Sequence, residues 1–257
     1  MAYDFTGQNI LITGGNMGLG AGVAQGFLQA GADLTIVGIE PDVAETAARW
    51  AERFGSKVTG LTCDFASAQD VARLAGQTGP LDVLVNIAGL ELITPIAEPS
   101  PQVDADFRRI TEINVIGTFS VIRALLSKLK PGARIVNTAS MWGKTAVAEF
   151  SAYCASKHAI IGLTRSLAQE LAPRGISVNA VCPGWVRTDA SMRSLSAMSA
   201  RTGRDEAELL AEITGAQALP GLMEPADMAD MYLYLASEAA RNITGQSFTV
   251  DRGELMQ

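Results

Sequence analysis

Short apolar runs alternate with longer segments of helical periodicity along this chain of 257 residues. Between the first two apolar runs, for example, Ala24, Phe27 and Leu28 recur at helical spacing. Parallel strands need a long crossover connection, and a helix is the usual one. The alternation therefore predicts an α/β fold in which helices cover both faces of a doubly wound parallel sheet.

Seven strands and four longer helices follow from this pattern. The predicted strands cover residues 9–12, 33–37, 58–62, 82–85, 134–137, 177–181 and 247–250. The predicted helices cover residues 21–30, 43–54, 107–129 and 151–171. A chain of this length with 48% hydrophobic residues can bury one substantial core. No linker interrupts it, so we expect one domain over residues 1–257.

Composition excludes several classes of function. The net charge of −7 argues against binding to nucleic acid or to an anionic membrane surface. No secretory signal and no long apolar span are visible, so we expect a cytoplasmic protein. The three cysteines, Cys63, Cys154 and Cys182, are far apart in the sequence, so we expect them to be reduced and to act as small apolar side chains. The single histidine, His158, excludes metal sites built on several histidines, and we expect no metal.

A glycine-rich turn follows the first predicted strand and opens the first helix. Glycines at this place allow a tight turn and let a pyrophosphate approach backbone amides at the helix N-terminus. Such a turn between a first strand and a first helix predicts binding of a dinucleotide. The residues expected to contact it there are Gly14, Asn16, Met17, Gly18, Leu19 and Gly20.

Tyr153 and Lys157 stand four residues apart and therefore share one face of the predicted helix 151–171. A cation about 4 Å from the phenol contributes roughly 4 kcal/mol at an effective dielectric near 20. One pKa unit corresponds to about 1.4 kcal/mol, so Lys157 is expected to lower the pKa of Tyr153 toward neutrality. A tyrosine of lowered pKa can exchange a proton with an alcohol or a carbonyl.

Five motifs in this order and at these spacings resemble the short-chain dehydrogenase/reductase family over nearly the whole chain. They are the turn 13–20, the run 86–89, Asn114, Ser140 with Tyr153 and Lys157, and the pair 183–184. The resemblance implies a Rossmann-type domain with a seven-stranded sheet, a nicotinamide cofactor, a small-molecule substrate and a homo-oligomer, either a dimer or a tetramer.

The resemblance also implies roles for the chemical residues. Tyr153 is the expected acid/base, and Lys157 is its partner. Ser140 anchors the substrate oxygen, and Asn114 holds a water of the proton relay. Each residue alone has an ordinary structural explanation, such as packing, solvation or capping. Their occurrence together beside a dinucleotide turn favours the catalytic interpretation.

The choice between NAD and NADP depends on the end of the second strand. The family's usual acidic position for NAD falls on Gly38, and its usual arginine position for NADP falls on Ile39. Glu40 either accepts from a ribose hydroxyl and repels a phosphate, or is an acid at a helix N-terminus. We favour NAD over NADP.

Further cofactor contacts are expected beyond the turn. Asp64 either accepts from the adenine amino group or caps the following helix, and both roles are compatible. The remaining expected contacts are Phe65, Asn86, Ala88, Gly89, Tyr153, Lys157, Pro183, Gly184, Val186 and Thr188.

Residues 185–222 form an insertion that resembles the family's substrate lid. Its apolar side chains suit either an adaptable cover or the core of a helical pair, and Asp205 is expected to cap a helix. These apolar residues are Met192, Leu195, Met198, Leu209, Leu210 and Ile213. The expected substrate contacts are Leu90, Glu91, Ser140, Met141, Trp142, Tyr153, Trp185 and Met192.

The segment 182–188 with the lid is similar to bacterial 3-hydroxybutyrate dehydrogenases. Glu91, Trp142 and Glu149 on the expected pocket wall argue against a small carboxylate and favour a neutral or polyhydroxy alcohol or ketone. One alternative is an NADPH-dependent reductase of 3-oxoacyl thioesters. Another is a dinucleotide-binding regulator without turnover, which predicts the loss of Ser140, Tyr153 or Lys157.

Overall fold

A computed structural model describes residues 3–256 of the chain. All seven predicted strands are present, and they form one parallel sheet. Their bounds are β1 Asn9–Thr13, β2 Asp33–Gly38, β3 Val58–Thr62, β4 Leu81–Asn86, β5 Leu129–Thr138, β6 Ser177–Pro183 and β7 Ser247–Val250. The strand order is β3-β2-β1-β4-β5-β6-β7. The predicted doubly wound α/β fold is therefore confirmed.

Nine α-helices connect or follow these strands within residues 3–256. Their bounds are α1 Gly18–Gln29, α2 Val43–Phe54, α3 Ala68–Gln77, α4 Pro101–Thr111, α5 Thr118–Leu125, α6 Ser151–Leu171, α7 Asp189–Thr202, α8 Glu206–Gly215 and α9 Ala229–Ala236. The predictions for α2 and α6 are confirmed at both ends.

The predicted helix 107–129 is wrong at both ends and in its continuity. Helix α4 begins at Pro101 behind the capping hydroxyl of Ser100, and a π-helical segment, Glu112–Gly117, separates it from α5. Leu129 opens β5, where it pairs with Leu81 of β4. A buried leucine satisfies the apolar pattern of a helix end and of a strand start equally, so periodicity cannot distinguish the two.

Successive side chains of β1 point to opposite faces of the sheet. Ile10 and Ile12 pack in a cluster with Phe27 of α1 and Tyr232 of α9. Leu11 packs on the opposite side, in a cluster that also contains residues of α3, α5 and α6. The sheet is therefore buried on both faces, and ligand access is left to its strand ends.

Segment 185–222 carries α7 and α8. Leu195 and Leu209 are buried in a cluster with Trp142 and Trp185, so the apolar residues of this segment form a core of their own. The carboxylate of Asp205 accepts from the backbone N–H groups at positions 207 and 208, at 2.8 and 3.4 Å, and the predicted cap is confirmed.

An ionic cluster ties α7 to the loops around it. Arg201 donates to both carboxylate oxygens of Glu149 at 3.1 and 2.8 Å and to Glu98 at 2.7 Å. Glu149 has a φ of 67°, a left-handed conformation that is uncommon for a residue other than glycine. The segment is thereby held against the loop that leads into α6.

Within residues 3–256 no helix is long and apolar enough to cross a bilayer. Cys63, Cys154 and Cys182 are buried free thiols.

Two helix-interior glycines provide a test of the packing between α1 and the residues before α9. A Cβ added at Gly22 would overlap the backbone of Pro225, whereas a Cβ added at Gly162 of α6 meets no atom within 4 Å. We expect Gly22→Ala to lower the free energy of unfolding by about 1–3 kcal/mol through overpacking. Gly162→Ala should raise it by about 0.5–1 kcal/mol, because alanine favours helix.

Urea unfolding monitored by circular dichroism measures both changes. A Gly22→Ala protein as stable as Gly162→Ala would contradict the close approach of α1 to Pro225.

Candidate active site

A cavity of about 520 Å³ runs along the carboxyl edge of the sheet. Its wall includes every residue expected at the glycine-rich turn, from Gly14 and Asn16 through Gly20. It also includes these expected cofactor contacts: Glu40, Asp64, Phe65, Ala88, Gly89, Tyr153, Lys157, Pro183, Gly184, Val186 and Thr188. Their convergence follows from the parallel sheet, because all strands end at this edge.

The glycine-rich turn leaves no room for side chains at two positions. Gly14 has a φ of 66°, and a Cβ added at Gly20 would overlap the carbonyl oxygen of Gly14. Helix α1 starts here without a side-chain cap at Met17. The first N–H groups of a helix have no partners within the helix and attract an anion. The turn therefore fits the pyrophosphate of a dinucleotide.

Thr13 holds the turn against the run 86–89, a role that the sequence analysis did not assign. The Thr13 hydroxyl accepts from the backbone N–H groups of Ile87 and Ala88, at 3.1 and 3.3 Å. The Thr13 carbonyl accepts from the same two groups at 3.2 and 3.0 Å. A buried threonine at the end of a central strand is the signal that could have indicated this role.

Two expected cofactor contacts have other partners. The Asn86 side chain donates to Asn137 at 2.9 Å, between β4 and β5, and does not line the cavity. Asp64 lines the cavity 3.9 Å from Arg109, and its carboxylate accepts from the N–H of Ala66. The cap of α3 is Ser67, so the prediction that Asp64 caps this helix is wrong.

Tyr153, Lys157 and Ser140 meet at the opposite end of the cavity. Tyr153 and Lys157 lie on successive turns of α6, while Ser140 follows β5. The Lys157 ammonium lies 5.4 Å from the centre of the Tyr153 ring and donates to the carbonyl of Thr138 at 2.9 Å. His158, the neighbour of Lys157, is exposed and contacts the Cys154 carbonyl, so the cavity receives no imidazole from it.

The predicted lowering of the Tyr153 pKa is wrong for the protein without ligands. Burial raises the pKa of Tyr153 well above its usual value, and the Glu91 carboxylate raises it further, while the Ser140 hydroxyl lowers it in part. Burial also lowers the pKa of Lys157 to about 8, against an opposing effect of Glu91. Spacing on a helix places the two groups together but does not reveal that both are desolvated.

Asn114 lies in the π-helical segment and connects it by hydrogen bonds to the residue after Gly89 and to α6. Its amide N–H₂ donates to the Leu90 carbonyl at 2.9 Å and to the Ser156 hydroxyl at 3.0 Å, and its oxygen accepts from the Leu90 N–H at 2.7 Å. The side chain does not line the cavity. Its atoms are thus engaged with protein groups, and its expected role in holding a relay water stays a prediction.

A partly buried carboxylate, Glu91, lines the cavity near Tyr153. Burial raises the pKa of Glu91, while the Ser194 hydroxyl and the charges of Lys157 and Arg193 lower it in part. Trp142 lies edge-on to Tyr153, with ring centroids 6.0 Å apart. Leu90, Met141 and Trp185 also line this end of the cavity, as expected.

Two residues expected near the substrate do not line the cavity, and one residue that does line it was not expected. Met192 packs in the hydrophobic cluster of α7 and α8 and does not line the cavity. Glu149 pairs with Arg201 and does not line it either. Arg193, which does line it, was not singled out because an arginine one position beyond Met192 gives no signal in sequence.

The fold and this cavity define a dinucleotide-binding protein with a partly buried tyrosine and a buried lysine at the carboxyl edge of the sheet. A family model described as enoyl-(acyl carrier protein) reductase matches residues 14–254. Oxidoreductase UcpA of Salmonella typhimurium is 35% identical over 259 aligned positions, covering 98% of this chain and 95% of that protein. The chain belongs to the short-chain dehydrogenase/reductase family of NAD(P)-dependent oxidoreductases.

Two further relatives have more specific names. D-beta-hydroxybutyrate dehydrogenase of Cupriavidus necator is 32% identical, covering 98% of this chain and 99% of that protein. The solved structure of L-sorbose reductase from Gluconobacter frateurii, in complex with NADPH and L-sorbose, has a TM-score of 0.90 and 25% identity over 100% of both chains.

The charge of Glu91 provides a test of the site's electrostatics. Glu91→Gln removes a negative charge that opposes ionisation of the Tyr153 phenol, so the pKa of Tyr153 should fall. An alcohol oxidation that uses the deprotonated Tyr153 phenol as its base would then show the rising limb of kcat/KM against pH at a lower pH.

Steady-state rates across pH measure this shift, and Glu52→Gln on the exposed face of α2 is the matched control. A limb that stays in place or moves to higher pH would show that Glu91 does not act on Tyr153.

Proposed function

We propose that this chain transfers a hydride between a nicotinamide cofactor, with NAD favoured over NADP, and a secondary alcohol or its ketone. The observation that carries the proposal is one continuous cavity. It joins the glycine-rich turn at one end to Tyr153, Ser140 and Lys157 at the other. A dinucleotide bound along it would extend from the turn toward the phenol, where an alcohol carbon can be oxidised.

Each chemical residue has one task in the proposed reaction. Tyr153 accepts the hydroxyl proton of the alcohol and returns it when a ketone is reduced. Ser140 donates a hydrogen bond to the substrate oxygen as its negative charge develops. Bound oxidised nicotinamide supplies the hydride acceptor and a positive charge beside the phenol.

Lys157 has a supporting task that follows from its position. Its ammonium is fixed by the Thr138 carbonyl above the tyrosine ring, where it favours the ionised phenol. It can also donate to the nicotinamide ribose. Because burial brings the pKa of Lys157 to about 8, this support weakens as the pH rises through that value.

The substrate class is proposed from Glu91. A partly buried carboxylate beside the phenol can accept hydrogen bonds from substrate hydroxyls and repels a substrate carboxylate. Arg193 on the wall of the same cavity offsets this charge in part. We therefore propose a neutral or polyhydroxy substrate, and rapid turnover of 3-hydroxybutyrate would contradict it.

The proposal also includes a substrate lid, a homo-oligomeric state and a preference for NAD. Residues 185–222 act as the substrate lid, since α7 and α8 pack on Trp142 and Trp185 of the cavity wall. The expected homo-oligomer is tested by light scattering. Strong preference for NADPH with a 3-oxoacyl thioester would favour the alternative reductase.

Removal of one hydroxyl tests the reaction. We expect Tyr153→Phe to reduce turnover of a responsive secondary alcohol by about 10²–10⁴-fold, because the proton acceptor is lost. Nicotinamide absorbance follows turnover across a panel of alcohols and ketones, and quenching of protein fluorescence follows cofactor binding, which should persist.

The matched control is Tyr234→Phe, at a tyrosine that does not line the cavity. Turnover by Tyr153→Phe close to that of Tyr234→Phe would refute the assignment of Tyr153 as the acid/base.

A further inference from the structure

Tyr232 brings a hydroxyl group into the core below the active-site edge of the sheet. It lies on α9, and its side chain is fully buried in an apolar cluster with Val136 of β5. Side chains two positions apart on a strand face the same side, so Thr138 points toward α9 as well. The hydroxyl oxygens of Tyr232 and Thr138 lie 2.8 Å apart. A hydrogen bond inside an apolar cluster therefore joins α9 to the last residue of β5.

The backbone of Thr138 binds the active-site lysine at the same time. Its carbonyl accepts a hydrogen bond from the Lys157 ammonium at 2.9 Å. Helix α6, which carries Lys157, packs on the face of the sheet opposite to α9. Thr138 is therefore the connection through which α9 can act on the ammonium across the sheet.

The two hydroxyl groups hold each other in place. Buried polar groups normally have a hydrogen-bond partner, and the fully buried Tyr232 hydroxyl has Thr138 as its partner. A threonine side chain is stiff about its first torsion angle, so a fixed hydroxyl also restrains the backbone of that residue. Loss of the Tyr232 hydroxyl would release this restraint on the last residue of β5.

We propose that Tyr232 is a positioning residue for Lys157. Its hydrogen bond to the Thr138 hydroxyl keeps the Thr138 carbonyl where it binds the ammonium. The consequence for turnover rests on the proposed reaction, whereas the consequence for Lys157 does not.

The charges around Lys157 leave its bond to Thr138 open to measurement. Burial raises the pKa of Cys182 to about 11 and the pKa of Tyr153 well above its usual value, so both groups are neutral near pH 8. The Glu91 carboxylate favours the charged ammonium. With Glu91 unchanged, the pKa of Lys157 reports the strength of its hydrogen bond to the Thr138 carbonyl.

Titration of Lys157 tests the proposal without any substrate. Carbon-13 labelling of the lysine side chains allows each ammonium to be followed by nuclear magnetic resonance. The signal that disappears in Lys157→Arg is assigned to Lys157. The titration is repeated for Tyr232→Phe, for Thr138→Val, for the double variant and for Thr138→Ser, which keeps the hydroxyl. Tyr234→Phe is the matched control, at a half-buried tyrosine of the same helix that does not line the cavity.

We expect the pKa of Lys157, about 8 in the wild-type protein, to fall by about 0.5–1 in Tyr232→Phe, because a weaker hydrogen bond stabilises the ammonium less. Thr138→Val should cause a similar fall, and the double variant should fall no further than either single variant. Tyr234→Phe should titrate as the wild type does, and Thr138→Ser should lie closer to it than Thr138→Val.

Three results would overturn the proposal. One is a Lys157 pKa that Tyr232→Phe does not lower. Another is a double variant in which the effects of Tyr232→Phe and Thr138→Val add. The third is an equal fall in Tyr234→Phe, which would assign the effect to the packing of α9 as a whole.

Turnover gives a second readout that a merely structural role would not change. With a responsive secondary alcohol, Tyr232→Phe should reduce kcat about three- to tenfold, the scale of one neutral hydrogen bond. The falling limb of the pH profile should move to lower pH, because Lys157 loses its proton earlier. A tyrosine that only stabilises the core would lower resistance to urea and leave this limb in place.

The outcome is separable from that of the proposed reaction. If Tyr232→Phe lowers the pKa of Lys157 while no alcohol or ketone is turned over, the reaction fails and the positioning role stands. If turnover depends on Tyr153 while the pKa of Lys157 does not respond to Tyr232→Phe, the positioning role fails and the reaction stands.

Discussion

A hydrogen bond between the Lys157 ammonium and the Thr138 carbonyl joins the active-site helix to the end of a central strand. Both residues are buried, so the ammonium has exchanged water for one carbonyl and for the field of Glu91. Desolvation of this kind disfavours the charged form and lowers the lysine pKa. The position of Lys157 above the tyrosine ring, and with it the geometry of the proposed reaction, depends on this bond.

The same desolvation sets the resting state of the tyrosine. Burial and the Glu91 charge hold Tyr153 as a neutral phenol in the protein alone. A phenol with a raised pKa is a weak base, and it becomes a useful one when positive charge enters the cavity. Oxidised nicotinamide carries such a charge, so in the proposed reaction the phenol accepts a proton from the alcohol only after the cofactor has bound.

The sequence was sufficient to predict which residues lie close together where the order of strands and helices along the chain determines this. Alternating apolar runs predicted the sheet, and the strand ends predicted the edge where Ser140, Tyr153 and Lys157 lie. The sequence was not sufficient to predict properties that depend on the burial of a side chain or on a local irregularity of the backbone. The pKa of Tyr153 was predicted with the wrong sign because spacing carries no information on desolvation, and the π-helical segment around Asn114 leaves no signature in periodicity.

The features that the sequence could not reveal differ between the two ends of the cavity. At the cofactor end, the missing side chain at Gly38 was visible in sequence, but the space-filling position of Asn16 was not, because it depends on how the turn folds back over β2. Beyond the other end of the cavity, outside its wall, Glu149 has a left-handed conformation and holds Arg201 of α7. Long-range ion pairs of this kind cannot be read from either segment alone.

The pKa of the Tyr153 phenol, measured with and without oxidised cofactor, tests this account most directly. Carbon-13 labelling of the tyrosine rings allows the titration of each phenol to be followed by nuclear magnetic resonance. The signal that disappears in Tyr153→Phe is assigned to Tyr153. The account predicts a pKa above the ordinary value of 10.0 in the protein alone and a lower value once the oxidised cofactor is bound. A pKa below 10.0 in the protein alone, or one that the cofactor does not lower, would contradict it.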